Sequence, residues 1–140
     1  MVQLQKNTLN TFYLTLVEKM QTASNSVLIQ LESQATKKTV EFLPRSRSHD
    51  ARKDTIQVRE GTLNNPVAGD ILLNTPQFPE GWYSYTVWEQ TSATNLDPTD
   101  ASVIGVIEVG LSYLRDSSVA FGESTYTSYN NTDTGYTFYE

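Results

Sequence analysis

The stretch Gly81-Trp-Tyr-Ser-Tyr-Thr-Val-Trp-Glu-Gln90, a polar connection through Asn95-Leu-Asp-Pro98, and then Val103-Ile-Gly-Val-Ile-Glu-Val-Gly-Leu-Ser-Tyr-Leu114 decide the fold of this chain. They read as two long strands joined by a loop. Side chains alternate along a strand, so Trp82, Ser84, Thr86 and Trp88 share one face while Tyr83, Tyr85, Val87 and Glu89 share the other. Both Trp residues therefore fall on one side of one strand. A Trp on a central sandwich strand is most often a core residue, so Trp82 and Trp88 are expected to face the core.

Upstream the same period of two recurs. Residues 9–17 place Phe12, Leu14 and Leu16 on one face and Tyr13, Thr15 and Val17 on the other. An amphipathic helix over residues 9–20 competes poorly, because Thr11, Phe12, Tyr13, Thr15 and Val17 favour strands. Val27, Ile29 and Leu31 make a second apolar stripe, and Val40 and Phe42 a third in Thr39–Leu43. Pro44 ends that strand because it has no amide hydrogen for a ladder. Residues 45–54 then form a polar, basic loop, followed by an alternating strand at 55–59 with Ile56 and Val58 inward. Gly61, Pro66 and Gly69 punctuate a wide connection before a short buried strand, Ile71-Leu72-Leu73, and Pro76 and Pro79 break the segment leading to Gly81. Pro98–Ser102 has room for one helical turn at most.

Seven strands at spacings of about ten residues predict an all-β chain, an antiparallel β-sandwich or a small barrel. Residues 1–8 read as an N-terminal extension, 9–115 as the sandwich and 116–140 as a C-terminal arm. At 140 residues one domain is expected, large enough to close a core without staples. Only 38% of residues are hydrophobic but 11% are aromatic, so a few large side chains must supply much of the buried area.

The arm changes composition to Ser, Thr, Asn and Gly, with Phe121, Tyr126, Tyr129, Tyr136, Phe138 and Tyr139 spread through it. Small polar residues favour a solvated tail. Six aromatics in a segment of this length favour one that docks, because Tyr offers large contact area at low entropic cost. Tyr126, Tyr129, Tyr136, Phe138 and Tyr139 are therefore candidate partner-binding residues.

The chain has no Cys, which removes disulfides and thiolate metal sites, and a single His. No signal peptide is legible at Met1–Thr8, and no run approaches the ~20 apolar residues of a membrane span. The expectation is a protein made in the cytoplasm, without cofactor or metal and without membrane contact. Charge is unevenly spread. Residues 1–59 carry nine Lys or Arg against five Asp or Glu, whereas residues 60–140 carry only Arg115 against eleven acids. An acidic second part disfavours a general nucleic-acid binder, and the asymmetry suits head-to-tail contacts between copies or with a complementary partner.

Candidate chemistry is sparse. His49 stands beside Asp50, but no Ser lies in a Gly-x-Ser-x-Gly elbow and no Cys exists, so a solvated loop His accounts for the pair. Glu89 and Glu108 on neighbouring strands could act as the two carboxylates of glycoside hydrolysis, although polar residues on the outer face of a half-exposed sheet predict the same pattern. The basic residues Arg45, Arg47, Arg52 and Lys53, preceded by Lys37 and Lys38, are candidate contacts for a partner surface; they lack the interleaved aromatics of a single-strand nucleic-acid groove. Asn130-Asn131-Thr132 fits the glycosylation pattern, which without a secretion signal reads as chance.

Tyr83-Ser-Tyr-Thr-Val-Trp-Glu-Gln-Thr-Ser92, Thr94-Asn-Leu-Asp-Pro98 and Val106-Ile-Glu-Val-Gly110, together with Asn7-Thr8-Leu9 and the strand Phe12–Leu16, resemble small virion proteins of tailed phages of Bacteroidota, including crAss-like phages. The resemblance spans residues 7–114 and stops at the tyrosine-rich arm. It implies an immunoglobulin-like structural component of the virion without enzymatic activity, made in the bacterial host cytoplasm. Major capsid, portal-proximal or tail proteins, and further copies of the chain, would be its partners. A receptor- or glycan-binding module displayed on the particle is the alternative. The resemblance brings no catalytic residue to carry over.

Overall fold

A computed structural model describes residues 1–50, 52–73 and 76–116. Nine strands form two facing sheets, with two short 3-10 turns and no α-helix among the described residues. In chain order the strands are β1 (Val2–Gln5), β2 (Leu9–Leu14), β3 (Ser26–Ser33), β4 (Thr39–Phe42), β5 (Ser46–Asp50), β6 (Lys53–Glu60), β7 (Asp70–Ile71), β8 (Gly81–Gln90) and β9 (Val103–Arg115). The large sheet has the order β1-β9-β8-β3-β4, and the small sheet β2-β6-β5 with β7 beside β6. An all-β sandwich is thus the architecture, with β8 and β9 as the longest strands, joined as expected by one loop.

Both sheets are mixed, where a purely antiparallel pattern was expected. β1 runs parallel to β9 and β7 parallel to β6. The expected N-terminal extension is itself β1: Val2 and Leu4 alternate into the core, 6% and 3% exposed, and the ladder Val2–Gln5 against Ser112–Arg115 fixes them there. The β1–β2 turn places Asn7 at φ 59°, and Asn10 closes it by accepting from the Gln5 amide at 2.7 Å. The expected basic loop at 45–54 is a hairpin, because β5 pairs with β6 from Ser46↔Gln57 to Asp50↔Lys53. Its polar alternation hid it: an edge strand facing water needs no apolar stripe to satisfy its backbone. The predicted strand Ile71-Leu72-Leu73 shortens to Asp70–Ile71.

The core lies between the sheets. Phe12, Leu14, Ile29, Leu31, Ile56 and Val58 face it as their alternation predicts, each nearly or wholly covered. Every such aliphatic or aromatic side chain contributes about 1.5–3 kcal/mol on burial. β8 reverses the expectation for its faces. Tyr83, Tyr85 and Val87 point inward, whereas Trp82 is 49% exposed and Trp88 half-buried on the outside. The period of two was right and the choice of side was wrong. Val87 and the rings of Tyr83 and Tyr85 already fill the inner face, which leaves the indoles to the other.

Candidate interaction surface on the large sheet

Reversal of β8 produces an exposed apolar surface. β9 pairs antiparallel with β8, so Tyr113 lies opposite Trp82, Leu111 opposite Ser84, Val109 opposite Thr86 and Val106 opposite Trp88. All of these project outward. Val109 is 65% exposed, Val106 54%, Leu111 51% and Ile104 39%. The Trp82 and Tyr113 rings meet edge to face at 5.1 Å, and the Arg115 guanidinium lies 5.8 Å from the Tyr113 ring centre. An apolar stripe therefore runs along β9, with Trp82 and Trp88 beside its two ends on β8 and Ser84 and Thr86 between them. Isolated surface apolar residues are ordinary, but contiguous exposed stripes usually mark contact sites.

Polar side chains border the stripe on the β3 and β4 side. Gln30 donates to Glu41 at 2.6 Å, and Glu32 lies opposite Ser84. At one end Leu28, opposite Trp88, is fully covered. On the other side β1 covers only Ser112–Arg115, so Val103–Leu111 is an edge without a ladder partner among the described residues. Two register shifts against β8 leave Ile107 and Ile104 without Cα partners in that ladder, the signature of β-bulges. Bulges twist an edge out of the plane that a further strand needs. The exposed stripe therefore offers side chains on a face, while its backbone edge is blunted.

Sequence analysis missed this face: a strict period of two puts Ile104 and Val106 on the opposite side from Val109 and Leu111, and the bulge at Ile107 brings the four together. A long apolar strand reads as a buried one.

The basic candidates separate. The Arg45 guanidinium donates to Asp70 at 2.8 Å, and Arg59 grips the same carboxylate at 3.1 and 2.9 Å. The Arg59 hydrogen bonds hold the Asp70 carboxyl below its ordinary range, assisted by the field of both guanidiniums. Arg47 donates to the carbonyls of Ala23 and Asn25 at 2.9 and 3.2 Å. Arg52 is exposed in the hairpin turn, and the Lys53 ammonium lies 4.6 Å from the Tyr13 ring centre. Arg45 and Arg47 are thus occupied in holding connections, Arg45 while still exposed, and Arg52 and Lys53 are exposed as well. Tyr126, Tyr129, Tyr136, Phe138 and Tyr139, like Asn130-Asn131-Thr132, lie outside the described residues.

His49 sits on β5 opposite Asp54, with its Nδ1 3.6 Å from Asp54 Oδ1. Asp54 is fully buried, and its Oδ2 accepts from the amides of Leu16 and Val17 at 2.9 and 3.1 Å. The neighbour of His49 in space is therefore Asp54 rather than its sequence neighbour Asp50.

Glu89 and Glu108 lie on the inner side, not on the outer face. Glu89 is 1% exposed and accepts from the Gln21 amide at 2.9 Å, the Thr22 amide at 3.1 Å and the Asn25 side chain at 2.8 Å. Burial pushes its pKa up, but these donors and the Arg47 charge outweigh that and hold it below the ordinary value. Glu108 pairs with Lys19 and accepts from the Tyr85 hydroxyl at 3.3 Å. The two carboxylates thus serve separate structural partners. Among the described residues no three His, Asp or Glu side chains converge to hold a metal ion, and no helix is long and apolar enough to cross a membrane.

Comparison of the chain with protein-family models, with curated proteins and with solved structures gave no match.

Proposed function

We propose that this chain is a non-enzymatic assembly protein of a phage particle, an immunoglobulin-like sandwich whose large sheet is built to be covered by another protein surface. The observation that carries this reading is the exposed stripe of Trp82, Ile104, Val106, Val109 and Leu111 on β8 and β9. Apolar side chains on a contiguous face gain free energy only when something covers them. Nearby carboxylates, the usual candidates for chemistry, are committed to backbone amides and to Lys19. The resemblance of residues 7–114 to small virion proteins supplies the setting, with sibling copies and major capsid, portal-proximal or tail proteins as partners.

Native mass spectrometry of the chain alone and mixed with those purified virion proteins tests the reading, alongside antibody labelling of intact particles. Association that Val106→Glu and Val109→Glu abolish, with unchanged circular dichroism, is the expected result. A strict monomer that binds none of them and labels no particle would overturn it.

A second reading rests on the aromatic end of the same face. Met1, Gln3, Trp82, Tyr113 and Arg115 line a shallow concavity of about 200 Å³. An exposed indole beside polar side chains is the arrangement on which a sugar ring stacks, so a glycan-binding module displayed on the particle remains the alternative. Trp82→Ala would abolish glycan binding on that reading and leave association through Val106 and Val109 intact.

A further inference from the structure

Relief on the outer face of the large sheet differs between its two longest strands. β8 presents Trp82, Ser84, Thr86 and Trp88, so two small side chains lie between two indoles. β9 presents Leu111 and Val109 opposite those small residues, 51% and 65% exposed. A valley on one strand therefore runs beside a ridge on its neighbour. A surface that carries both, side by side, can be complementary to itself, which is what a twofold contact requires.

We propose that the occupant of this face is a second copy of the chain, packed face to face about a twofold axis that runs parallel to the strands between β8 and β9. The inference rests on the apolar stripe being the surface at which this chain assembles, and it names the partner there. Rotation about that axis keeps position along the strands and exchanges the two strands. Leu111 and Val109 of each copy then settle over Ser84 and Thr86 of the other, while Trp82 meets Tyr113 and Trp88 meets Val106.

Charge selects this axis. Acids on the outer face lie on the β3–β4 side, where Glu32 stands opposite Ser84 and Glu41 accepts from Gln30. The rotation carries that flank over β1, which presents Gln3 and Gln5, has Arg115 opposite Gln5 and contains no acid. An axis across the strands would instead gather Glu32 and Glu41 of both copies on one flank, where like charges repel. It would also set Trp82 against Trp88 and hold the sheets apart over Ser84 and Thr86.

The face is large enough for this contact. Its five strands, 4 to 13 residues long, offer roughly 600 Å² per copy at ~3.3 Å per residue and ~4.8 Å between strands. Two copies can bury about 1,200 Å², the lower bound for a specific, stable interface.

Paired charge substitutions test both the partner and the axis. The parent chain should exchange between monomer and dimer in sedimentation equilibrium over about 1–200 µM, the weak end of the affinity such an area supports. Thr86→Glu and Val109→Lys should each raise the dimer dissociation constant about tenfold or more, because each sets an unpaired charge in the contact. Mixing the two variants should restore a dimer with one copy of each, identified by its mass, because Glu at 86 then lies over Lys at 109. Both side chains point outward, and circular dichroism should be unchanged. Ser84→Glu with Leu111→Lys repeats the test one row away. A parent chain that stays monomeric throughout, or variants that mixing fails to rescue at both rows, would overturn the proposal. A monomer that still binds virion proteins and loses them in Val109→Glu would strike the second copy while the assembly reading stands. A rescued dimer that binds no virion protein and labels no particle would leave the twofold contact standing and strike the phage setting.

Discussion

At single positions, two glycines and one carboxylate show how closely this fold is drawn around its connections. Gly69 follows the 3-10 turn Pro66–Ala68 with φ 77°, and a Cβ there would lie 2.2 Å from the Arg45 amide nitrogen. Left-handed backbone costs an L-residue about 1–2 kcal/mol and overpacking a further 1–3 kcal/mol, so Gly69→Ala should lose about 2–5 kcal/mol in chemical denaturation. Gly61 has open space around it, and Gly61→Ala should stay within about 0.5 kcal/mol of the parent. Equal losses at both positions would contradict this account. At Gly110 the constraint is a ring: a Cβ would approach the Tyr85 hydroxyl to 2.6 Å, because Tyr85 lies across the glycine opposite it. Glu89 is the third case. Glu89→Ala leaves the Gln21 and Thr22 amides and the Asn25 side chain without their acceptor, and should cost about 2–3 kcal/mol. Glu89→Gln, which keeps an acceptor oxygen, should cost less. Denaturant midpoints at neutral pH decide between the two.

Among the elements, strands were far more legible than the parts that tie them together. Phe12, Ile29, Leu31, Ile56 and Val58 announce their faces because apolar side chains alternate with polar ones along β2, β3 and β6. β5 stayed hidden because Ser46, Arg47, Ser48, His49 and Asp50 carry no apolar stripe, and its strand character comes from the ladder to β6. β8 alternates clearly, but aromatics occupy both faces, and composition favours the indoles over the phenols as core. Packing decided otherwise: Tyr83 donates to the Pro79 carbonyl at 2.8 Å and Tyr85 to Glu108, so each phenol finds a partner from within. Least legible are the acidic staples. Asp54 holds the start of the 3-10 turn after β2, Glu60 accepts from Asn7 and from Leu73 at 2.9 Å, and Glu89 holds residues 21–25. Asp54 and Glu60 flank the strand read at 55–59 and Glu89 falls on the face of β8 expected to meet solvent, while their partners stand 13 to 68 positions away. Pattern along the chain carries no trace of such pairs. The same limit hid the apolar stripe of β9, whose exposure depends on what does not pack against it. Its predicted consequence belongs to this scale: Val109→Glu should raise solubility and leave stability within about 0.5 kcal/mol, since a surface position makes no core contact. A large loss of stability would mean that the stripe is structural.

For the whole molecule, the contrast between a basic first part and an acidic second part is partly consumed in folding. Lys19 pairs with Glu108, and Arg45 and Arg59 both grip Asp70 at the small sheet, so three ion pairs join the two parts. Stability should therefore respond to pH at both ends of the scale. Asp70 and Glu89 titrate below their ordinary values of 3.8 and 4.5 in the fold, so the unfolded chain binds protons first as pH falls. Their stabilisation is complete above those ordinary values and is lost as pH drops through the lower folded ones. Tyr83 and Tyr85 behave oppositely: burial, and for Tyr85 also the Glu108 charge, pushes both phenols from 10.0 up to about 12. Unfolded tyrosines ionise first as pH rises, so stability is full below pH 10 and declines from there toward pH 12. Denaturant midpoints measured across pH should show a plateau with an acid shoulder below about 4.5 and an alkaline shoulder above about 10. Two variants separate the contributors. Glu89→Gln should shrink the acid shoulder to what Asp70 contributes while leaving the alkaline one, and Tyr85→Phe should shrink the alkaline shoulder to what Tyr83 contributes while leaving the acid one. Shoulders that survive both substitutions unchanged would show that groups other than these buried ones govern the pH response of the sandwich.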